Sequence, residues 1–474
     1  MRRILTFSGK IRNTRTILAV SCLFAGFFIS PVHAIERVKV TVPVHEYKLD
    51  NGLKVLVKQD KRAPIAVVQL WYKVGSSYEH NGLTGLSHVV EHMMFKGTQK
   101  HPTGEFNRII AENGAEDNAF TSQDYTAYYQ IIAADRLEVA FELESDRVRG
   151  LTLPPAEFKK EVEVVKEERR WRTEDKPTAL TYEQFAATAF LNSPYHNPTI
   201  GWMTDLDAMK VEDLRAWYER WYAPNNATLV VVGDVDPDKV HELAKKYYGP
   251  LKPTADILPP KPQTEVEQKG IRSIRVKAPA ELPYVMMGYK VPGMLDAKDK
   301  WEPYALEMLA SILDGGNSSR FSKELIRGKE IASQASAGYD GYGRLPDLFT
   351  LSGMPAKDVK LETVKAALLE QVEKLKAAPI SADELERARA QVISGEIYQR
   401  DSQQEQATII GSLESVGLGY KLADEYVDNI LAVTPEQVQA VAKKYLIEDH
   451  LTVAELDPLP IDPNKPKNEP RFVR

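Results

Sequence analysis

Apolar residues fall into short runs separated by amphipathic, charged stretches, and the series of runs is written twice. "IAVVQLWYKVGS" (Ile65 to Ser76) reads as an apolar strand in the first half, and "PYVMMGYKVPG" (Pro283 to Gly293) reads as its counterpart in the second. A helix-like apolar stretch follows each: "GLSHVVEHMMFKG" in the first half and "ALEMLASILDGG" (Ala305 to Gly316) in the second. Each half continues with a Gly/Ser-rich bend and a Tyr-rich strand. A long charged helix comes next, "AEFKKEVEVVKEERRW" against "ADELERARAQVISGEI". Each half closes on a helix and a strand, "DLRAWYERWYAPNNATLVVVGDVDP" against "QVQAVAKKYLIEDHLTVAELDP". The common order predicts a duplicated α+β domain. The proline-rich, polar stretch from Gly249 to Gly270 reads as a linker. The expected domains are therefore 35–248 and 271–456, with a proline-rich tail, 457–474, expected to be disordered.

The chain has 474 residues, too many for one ordinary core. Its first fifteen residues carry Arg2, Arg3, Lys10, Arg12 and Arg15 and no acid. An apolar run from Thr16 to Ser30 and the tetrapeptide "PVHA" follow. This is the pattern of a signal peptide over 1–34, cut after Ala34, and it predicts a periplasmic or secreted protein. The run falls short of the roughly 20 residues of a membrane span. Retention as an anchor is the alternative, and this segment is the only predicted membrane contact. Cys22 is the only cysteine. The mature chain thus has no disulfide and no thiolate, so metal ligands must come from His, Asp and Glu. Loss of the five basic residues takes the net charge from −6 to −11. An acidic chain without a basic stripe excludes nucleic acid as a partner.

Candidate chemistry lies in "GLSHVVEHMMFKGT" (Gly85 to Thr98). On a helix, His88 and His92 share one face at i, i+4, with Glu91 beside them. The leading Gly-Leu-Ser is expected to cap that helix and Gly97 to end it. Two imidazoles and a carboxylate suit zinc, and a catalytic zinc site keeps three protein ligands and an open fourth position. The order H-x-x-E-H is that of the inverzincins. A third ligand is available in the charged helix, where Glu161 and Glu168 lie two turns apart on one face beside Val162 and Val165. Glu157, Glu163 and Glu167 are expected in solvent or in salt bridges with Lys159, Lys160, Lys166, Arg169 and Arg170. Taken alone, each stretch also fits an ordinary packed or solvated helix. The second copy separates the readings. It places Leu306, Leu309 and Ala310 where the first has His88, Glu91 and His92, and Ala388 and Gly395 where the first has Glu161 and Glu168. Buried polar groups need partners, and a metal would provide them.

Together with "NAFTSQDYTAYY" (Asn118 to Tyr129), "EVEVVKEE" and "SPYHNPTIGW", these stretches resemble the M16, or pitrilysin-type, metallopeptidases over nearly all of the mature chain. The resemblance is to the half-sized, two-domain type, such as the mitochondrial processing peptidase subunits. It implies two homologous M16-type (LuxS/MPP-like) domains, each an antiparallel-rich sheet packed with helices. It implies one zinc per chain held by His88, His92 and Glu168, Glu91 as general base, and Glu161 as an acid supporting the site. It also implies that "DNAFT" is an edge strand, with Asn118, Ala119 and Phe120 binding a peptide or unfolded protein segment by strand addition.

The pattern departs from the family in the second half. There the family carries an Arg and, seven residues on, a Tyr, which contact substrate and stabilise the oxyanion. Arg327 fits the first position, but Gln334, or Ser333 after a short deletion, stands at the second, and Tyr339 and Tyr342 are out of register. The expectation is a heterodimer with a sister chain that supplies both groups, a homodimer being the other arrangement. Two functions follow: a zinc endopeptidase working with a partner, or a non-catalytic peptide-binding or scaffolding subunit. The intact His/Glu set favours the first.

Overall fold

The structure is a computed structural model describing residues 43–255, 257 and 263–462. The expected signal peptide, residues 256 and 258–262 of the expected linker, and residues 463–474 of the expected tail lie outside the described residues.

The first half runs β1 (Val44–Lys48), β2 (Lys54–Gln59), β3 (Ile65–Tyr72), α1 (Leu86–Met93), α2 (Glu105–Glu112), β4 (Glu116–Thr121) and β5 (Thr126–Ala133). It continues with α3 (Leu137–Arg149), α4 (Pro155–Arg169), α5 (Pro177–Ala189), α6 (Met203–Ala208), α7 (Val211–Trp221), β6 (Ala227–Gly233) and α8 (Pro237–Tyr247). The second half runs β7 (Arg272–Pro279), β8 (Tyr284–Val291), α9 (Glu302–Asp314), β9 (Ala332–Gly338) and β10 (Asp347–Pro355). It ends with α10 (Leu361–Ala377), α11 (Ala382–Gln399), α12 (Gln403–Val416), α13 (Leu422–Ala432), α14 (Pro435–Tyr445) and β11 (Leu451–Leu459).

The first sheet has the order β1-β2-β6-β3-β5-β4, and the second has β7-β11-β8-β10-β9. Removing β1 makes the two orders identical, with β2 and β7 in the same place. In both sheets one pair is parallel (β2–β6 and β11–β7) and the rest are antiparallel. The predicted duplication is thus a duplication of topology. The run Ile65–Tyr72 is apolar without alternation because β3 is central and covered on both faces, and every residue after Ile65 is buried.

The helices covering the sheets are exchanged between the halves. On one face the first sheet packs against its own helices α1, α3, α7 and α8. Its other face packs against α12, where Leu56, Val67, Trp71 and Val230 meet Ala407 and Ile410. Reciprocally, α5 sends Phe185 and Ala189 onto Met286, Leu348 and Ala454 of the second sheet. Each exchanged contact sets an aromatic ring against a glycine. A Cβ on Gly411 would meet the Trp71 ring at 2.1 Å, and one on Gly288 would meet the Phe185 ring at 2.5 Å. At native packing density neither site has room for a methyl group.

Two sequence expectations change here. Disorder at the start of the expected tail is corrected, because Asp457, Pro458 and Leu459 belong to β11 and pair with Lys277, Ala278 and Pro279 of β7. Pairing with β8 ends at Leu456, so among the described residues Pro458 has a strand neighbour on one side only, a position that tolerates a missing N–H donor. The end of the expected linker is also tied down. The Glu265 carboxylate accepts the backbone N–H groups of Leu191, Asn192 and Ser193 and the Lys290 ammonium at 2.8 Å. Burial works against the charged carboxylate, but these donors outweigh it and hold its pKa at about 2.

Candidate metal centre

Helix α1 buries His88 together with Leu86, Val89, Val90 and Met93 and leaves His92 half-buried. The expected Gly-Leu-Ser stretch opens the helix, without a cap from its own side chains. Gly85 takes the N-cap position with φ +89°, and a side chain from outside the segment does the capping: Glu79 Oε2 accepts the Gly85 N–H at 2.7 Å and Oε1 the Ser87 N–H at 2.6 Å. Burial raises the Glu79 pKa to about 8 against the pull of these donors. The helix ends at Met93, and Gly97, with φ +100°, lies beyond its last turn.

Helix α4 lies against α1 with Val162 and Val165 buried and brings both expected glutamates to the histidines. Glu157, Glu163 and Glu167 pair with Lys160, Lys166 and Arg170 on the outer side, as expected. Arg169 does not join them. It is buried and holds Glu183 of α5 at 2.7 and 2.9 Å, which fixes the glutamate helix to the helix that crosses to the second sheet. A π-helical turn, Arg170–Glu174, follows directly.

His88, His92 and Glu168 converge, with one ligand atom from each lying within 4.8 Å of the others. Glu168 Oε2 is 3.7 Å from His88 Nε2 and 3.4 Å from His92 Nε2. Glu161 sits behind, with Oε2 3.3 Å from His92 Nδ1. Two cations absent from the sequence reading hold the far oxygens of these acids. Lys96 Nζ is 2.7 Å from Glu161 Oε1, and Arg172 Nη1 is 2.8 Å from Glu168 Oε1. Both lie four residues from a site residue, Lys96 after His92 and Arg172 after Glu168, and that spacing was the available signal. Each acid thus turns one oxygen to the histidines and gives the other to a cation.

The electrostatics favour a cation at this point. Burial lowers the His88 pKa to about 3, so its ring is neutral at physiological pH and fit to ligate. At His92 burial also opposes charge, but the hydrogen bonds to Glu161 and Glu168 outweigh it and raise the pKa to about 9. At Glu168 burial is again outweighed, here by His92, His88 and Arg172, and the pKa falls to about 2. The field that favours a proton on His92 favours a divalent ion at the same place. Neutral imidazoles and a carboxylate are ligands that zinc accepts.

Glu91 stands beside the cluster and outside it. Its Oε2 accepts the Thr121 hydroxyl at 2.5 Å, and burial raises its pKa. Thr121 belongs to β4, and among the described residues β4 is an edge strand paired only with β5. Asn118, Ala119 and Phe120 therefore lie on an open edge next to the Glu91 carboxylate, and "NAFTSQDYTAYY" is a hairpin of β4 and β5. The second copy is apolar where expected, with Leu306 and Leu309 fully buried. Arg327 follows a π-helical turn, Phe321–Ile326, and donates to the Asn317 carbonyl. Ser333 and Gln334 lie on β9, and the Tyr339 hydroxyl donates to the Pro292 carbonyl at 2.7 Å.

A helix bearing H-x-x-E-H, completed by a glutamate from a second helix, is the inverzincin arrangement. Residues 54–202 match the description "Insulinase (Peptidase family M16)", and residues 208–392, from the end of the first half into α11 of the second, match "Peptidase M16 inactive domain". A Helicobacter pylori protein named "Zinc protease PqqE" is 36% identical over 73% of this chain and 78% of its own length. An uncharacterized zinc protease of Mycobacterium leprae is 29% identical over 84% of this chain and 88% of its own. Among solved structures, a protease from Helicobacter pylori superposes with TM-score 0.83 at 31% identity, covering 88% of this chain and 100% of that one. The periplasmic protease PqqL from Escherichia coli shares the fold, with TM-score 0.72 at 19% identity, over 89% of this chain and 49% of that one. The chain belongs to peptidase family M16, as a half-sized member with two M16-type domains.

Proposed function

We propose that this chain is an exported zinc endopeptidase that cleaves peptides or unfolded protein segments and completes its site with a partner subunit. The convergence of His88, His92 and Glu168, with Glu91 alongside, carries the reading. Zinc bound by these three would polarise the scissile carbonyl and lower the pKa of its water toward about 7. Glu91 accepts the proton of the attacking water and passes it to the leaving amine, and its raised pKa makes it the better acceptor. Thr121 orients that carboxylate and ties it to β4. A substrate strand added along Asn118–Phe120 thereby brings its main chain beside the base. Glu161 accepts from His92 Nδ1, which fixes the tautomer that presents Nε2. Export rests on the sequence of residues 1–34. Among the described residues no helix is long and apolar enough to cross a membrane. A scaffolding role suits the second half, whose matching positions are apolar, but leaves the five polar residues of the first unexplained.

His92→Ala tests this reading directly. One zinc per chain is expected in the wild type and a large loss in the variant, both measured by elemental analysis alongside a peptide-cleavage assay. Equal zinc in the two proteins sinks the assignment. Lys96 gives a finer test. Lys96→Met frees Glu161 from its cation and is expected to weaken zinc binding roughly 10- to 100-fold, as is usual for groups behind a ligand. Lys96→Arg should keep most of the affinity. Competition with a chelator measures both, and an unchanged affinity in Lys96→Met would show that Glu161 holds His92 unaided.

A further inference from the structure

The two halves touch at their matching hairpins. β9 and β10 hold the places in the second sheet that β4 and β5 hold in the first. The first hairpin turns in four residues, 122–125, whereas the second takes eight, 339–346. The longer connection reaches across to the shorter one. The backbone N–H of Arg344 donates to Asp124 Oδ2 at 2.8 Å, and Arg344 Nε lies 3.5 Å from Asp124 Oδ1.

Two hydroxyls join this contact into a ring. Ser77 Oγ donates to Asp124 Oδ1 at 2.7 Å and accepts from Arg344 Nη2 at 2.9 Å. The Tyr195 hydroxyl donates to Asp124 Oδ2 and accepts the Leu345 N–H at 3.2 Å. The Arg344 guanidinium also lies over the Tyr78 ring, 4.6 Å from its centre. Asp124 is buried, and a buried carboxylate is costly unless it is paired and hydrogen-bonded, so its partners are not free to leave it. The turn itself has little slack. Ser76 and Ser77 donate their backbone N–H groups to the Ser122 and Gln123 carbonyls at 3.1 and 2.7 Å. A Cβ on Gly75 would meet the Ser122 oxygen at 2.3 Å, so only glycine lets the two segments come this close.

We infer that Asp124 and Arg344 are positioning residues, through which the second half fixes the turn 122–125, Thr121 and so the Glu91 carboxylate. The inference rests on the peptidase reading of Glu91. The route is short. Asp124 follows Thr121 by three residues, in a turn closed by the Ser122 N–H on the Tyr125 carbonyl at 2.8 Å. Thr121 is the last residue of β4, and its hydroxyl donates to Glu91. The base and all three expected ligands lie in the first half, yet the turn that places the donor to the base is fastened from the second. Displacing a reacting group by about 1 Å can cost on the order of 10²-fold in rate, so a contact three residues from Thr121 has leverage on turnover without touching the substrate.

Arg344→Gln in the full chain, assayed with its co-purifying partner on an unstructured peptide, should keep its zinc and lower kcat roughly 10- to 100-fold. Amide hydrogen exchange should quicken over Glu116–Thr121. Ser77→Ala removes one shared hydroxyl and leaves the Asp124–Arg344 pair. It should show the same changes in smaller measure, roughly threefold to tenfold in kcat, the weight of about one hydrogen bond. Arg62→Gln is the control. It breaks another contact between the halves, Arg62 Nη1 to Asp401 Oδ1 at 3.3 Å, and should leave kcat and the exchange of β4 as in the wild type. A double-mutant cycle separates positioning from a general loss of stability. Thr121→Val frees Glu91 by itself, so adding Arg344→Gln to it should cost little more in kcat, whereas independent sites would add in full. Additive losses, an equal effect of Arg62→Gln, or unaltered exchange of β4 in both Arg344→Gln and Ser77→Ala overturns the inference. Absence of cleavage by the wild type with its partner would count against the peptidase reading instead, and the exchange of β4 would then decide alone whether the second half holds this turn.

Discussion

Glu91→Gln is expected to retain its zinc and its fold and to lose roughly 10²- to 10⁴-fold in turnover, the usual contribution of a general base. The separation of roles is geometric. His88, His92 and Glu168 form the converging set, and Glu91 is outside it, turned toward the Thr121 hydroxyl at 2.5 Å. Glutamine keeps an acceptor oxygen for that hydroxyl and nearly the same volume, so the β4 contact survives. It has no basic oxygen with which to take a proton. Zinc content and kcat/KM on an unstructured peptide are the two measurements. Full zinc with collapsed kcat/KM is the expected pair, whereas loss of metal would make Glu91 a ligand and require the roles to be redrawn.

Local order and repetition were legible in the sequence, while distant contacts were not. The H-x-x-E-H face, the two-turn spacing of Glu161 and Glu168, and the apolar second copy all rest on helical periodicity, which a single segment displays. The repeat of topology followed from the repeat of runs. The start of α1 at Gly-Leu-Ser was legible, but the carboxylate that accepts its N–H groups was not, because Glu79 reaches it from six residues before Gly85 across an irregular loop, and no periodicity links them. Arg169 was offered as a salt-bridge partner of the outer glutamates because a charged helix taken alone gives no sign of Glu183. That pair exists through α5, and α5 lies where it does because the halves exchange helices. The exchange left only faint marks, Gly411 under Trp71 and Gly288 under Phe185, which acquire meaning once the two surfaces meet. Removing one partner of a buried pair such as Arg169–Glu183 typically costs about 3–5 kcal/mol, because the other charge is left buried and unpaired, so a contact invisible in either segment is one that neither segment can lose cheaply.

The isolated, zinc-loaded chain is expected to be a weak peptidase, because the carbonyl under attack lacks a donor for its developing oxyanion. The family places that donor on a tyrosine seven residues after an arginine. Here Arg327 has at that distance Gln334, on β9 next to Ser333, whose hydroxyl donates to the Pro355 carbonyl at 3.0 Å. Tyr339 donates its hydroxyl to Pro292 at 2.7 Å and is engaged within its own half. Losing one such donor typically costs on the order of 10²- to 10³-fold in rate, about 3–4 kcal/mol. Zinc binding should be untouched, since all three ligands lie in the first half. Mixing with a sister chain that carries Arg and Tyr seven residues apart should restore the rate. A tyrosine introduced by Ser333→Tyr or Gln334→Tyr should restore a little if the chain pairs with itself. The deciding assay follows cleavage of an unstructured peptide by the chain alone, by the chain with its co-purifying partner, and by Arg327→Ala. A large rise on adding the partner is the expected result. Full-strength cleavage by the chain alone, undiminished in Arg327→Ala, would show that no Arg/Tyr donor from a partner is needed and would overturn the heterodimer proposal.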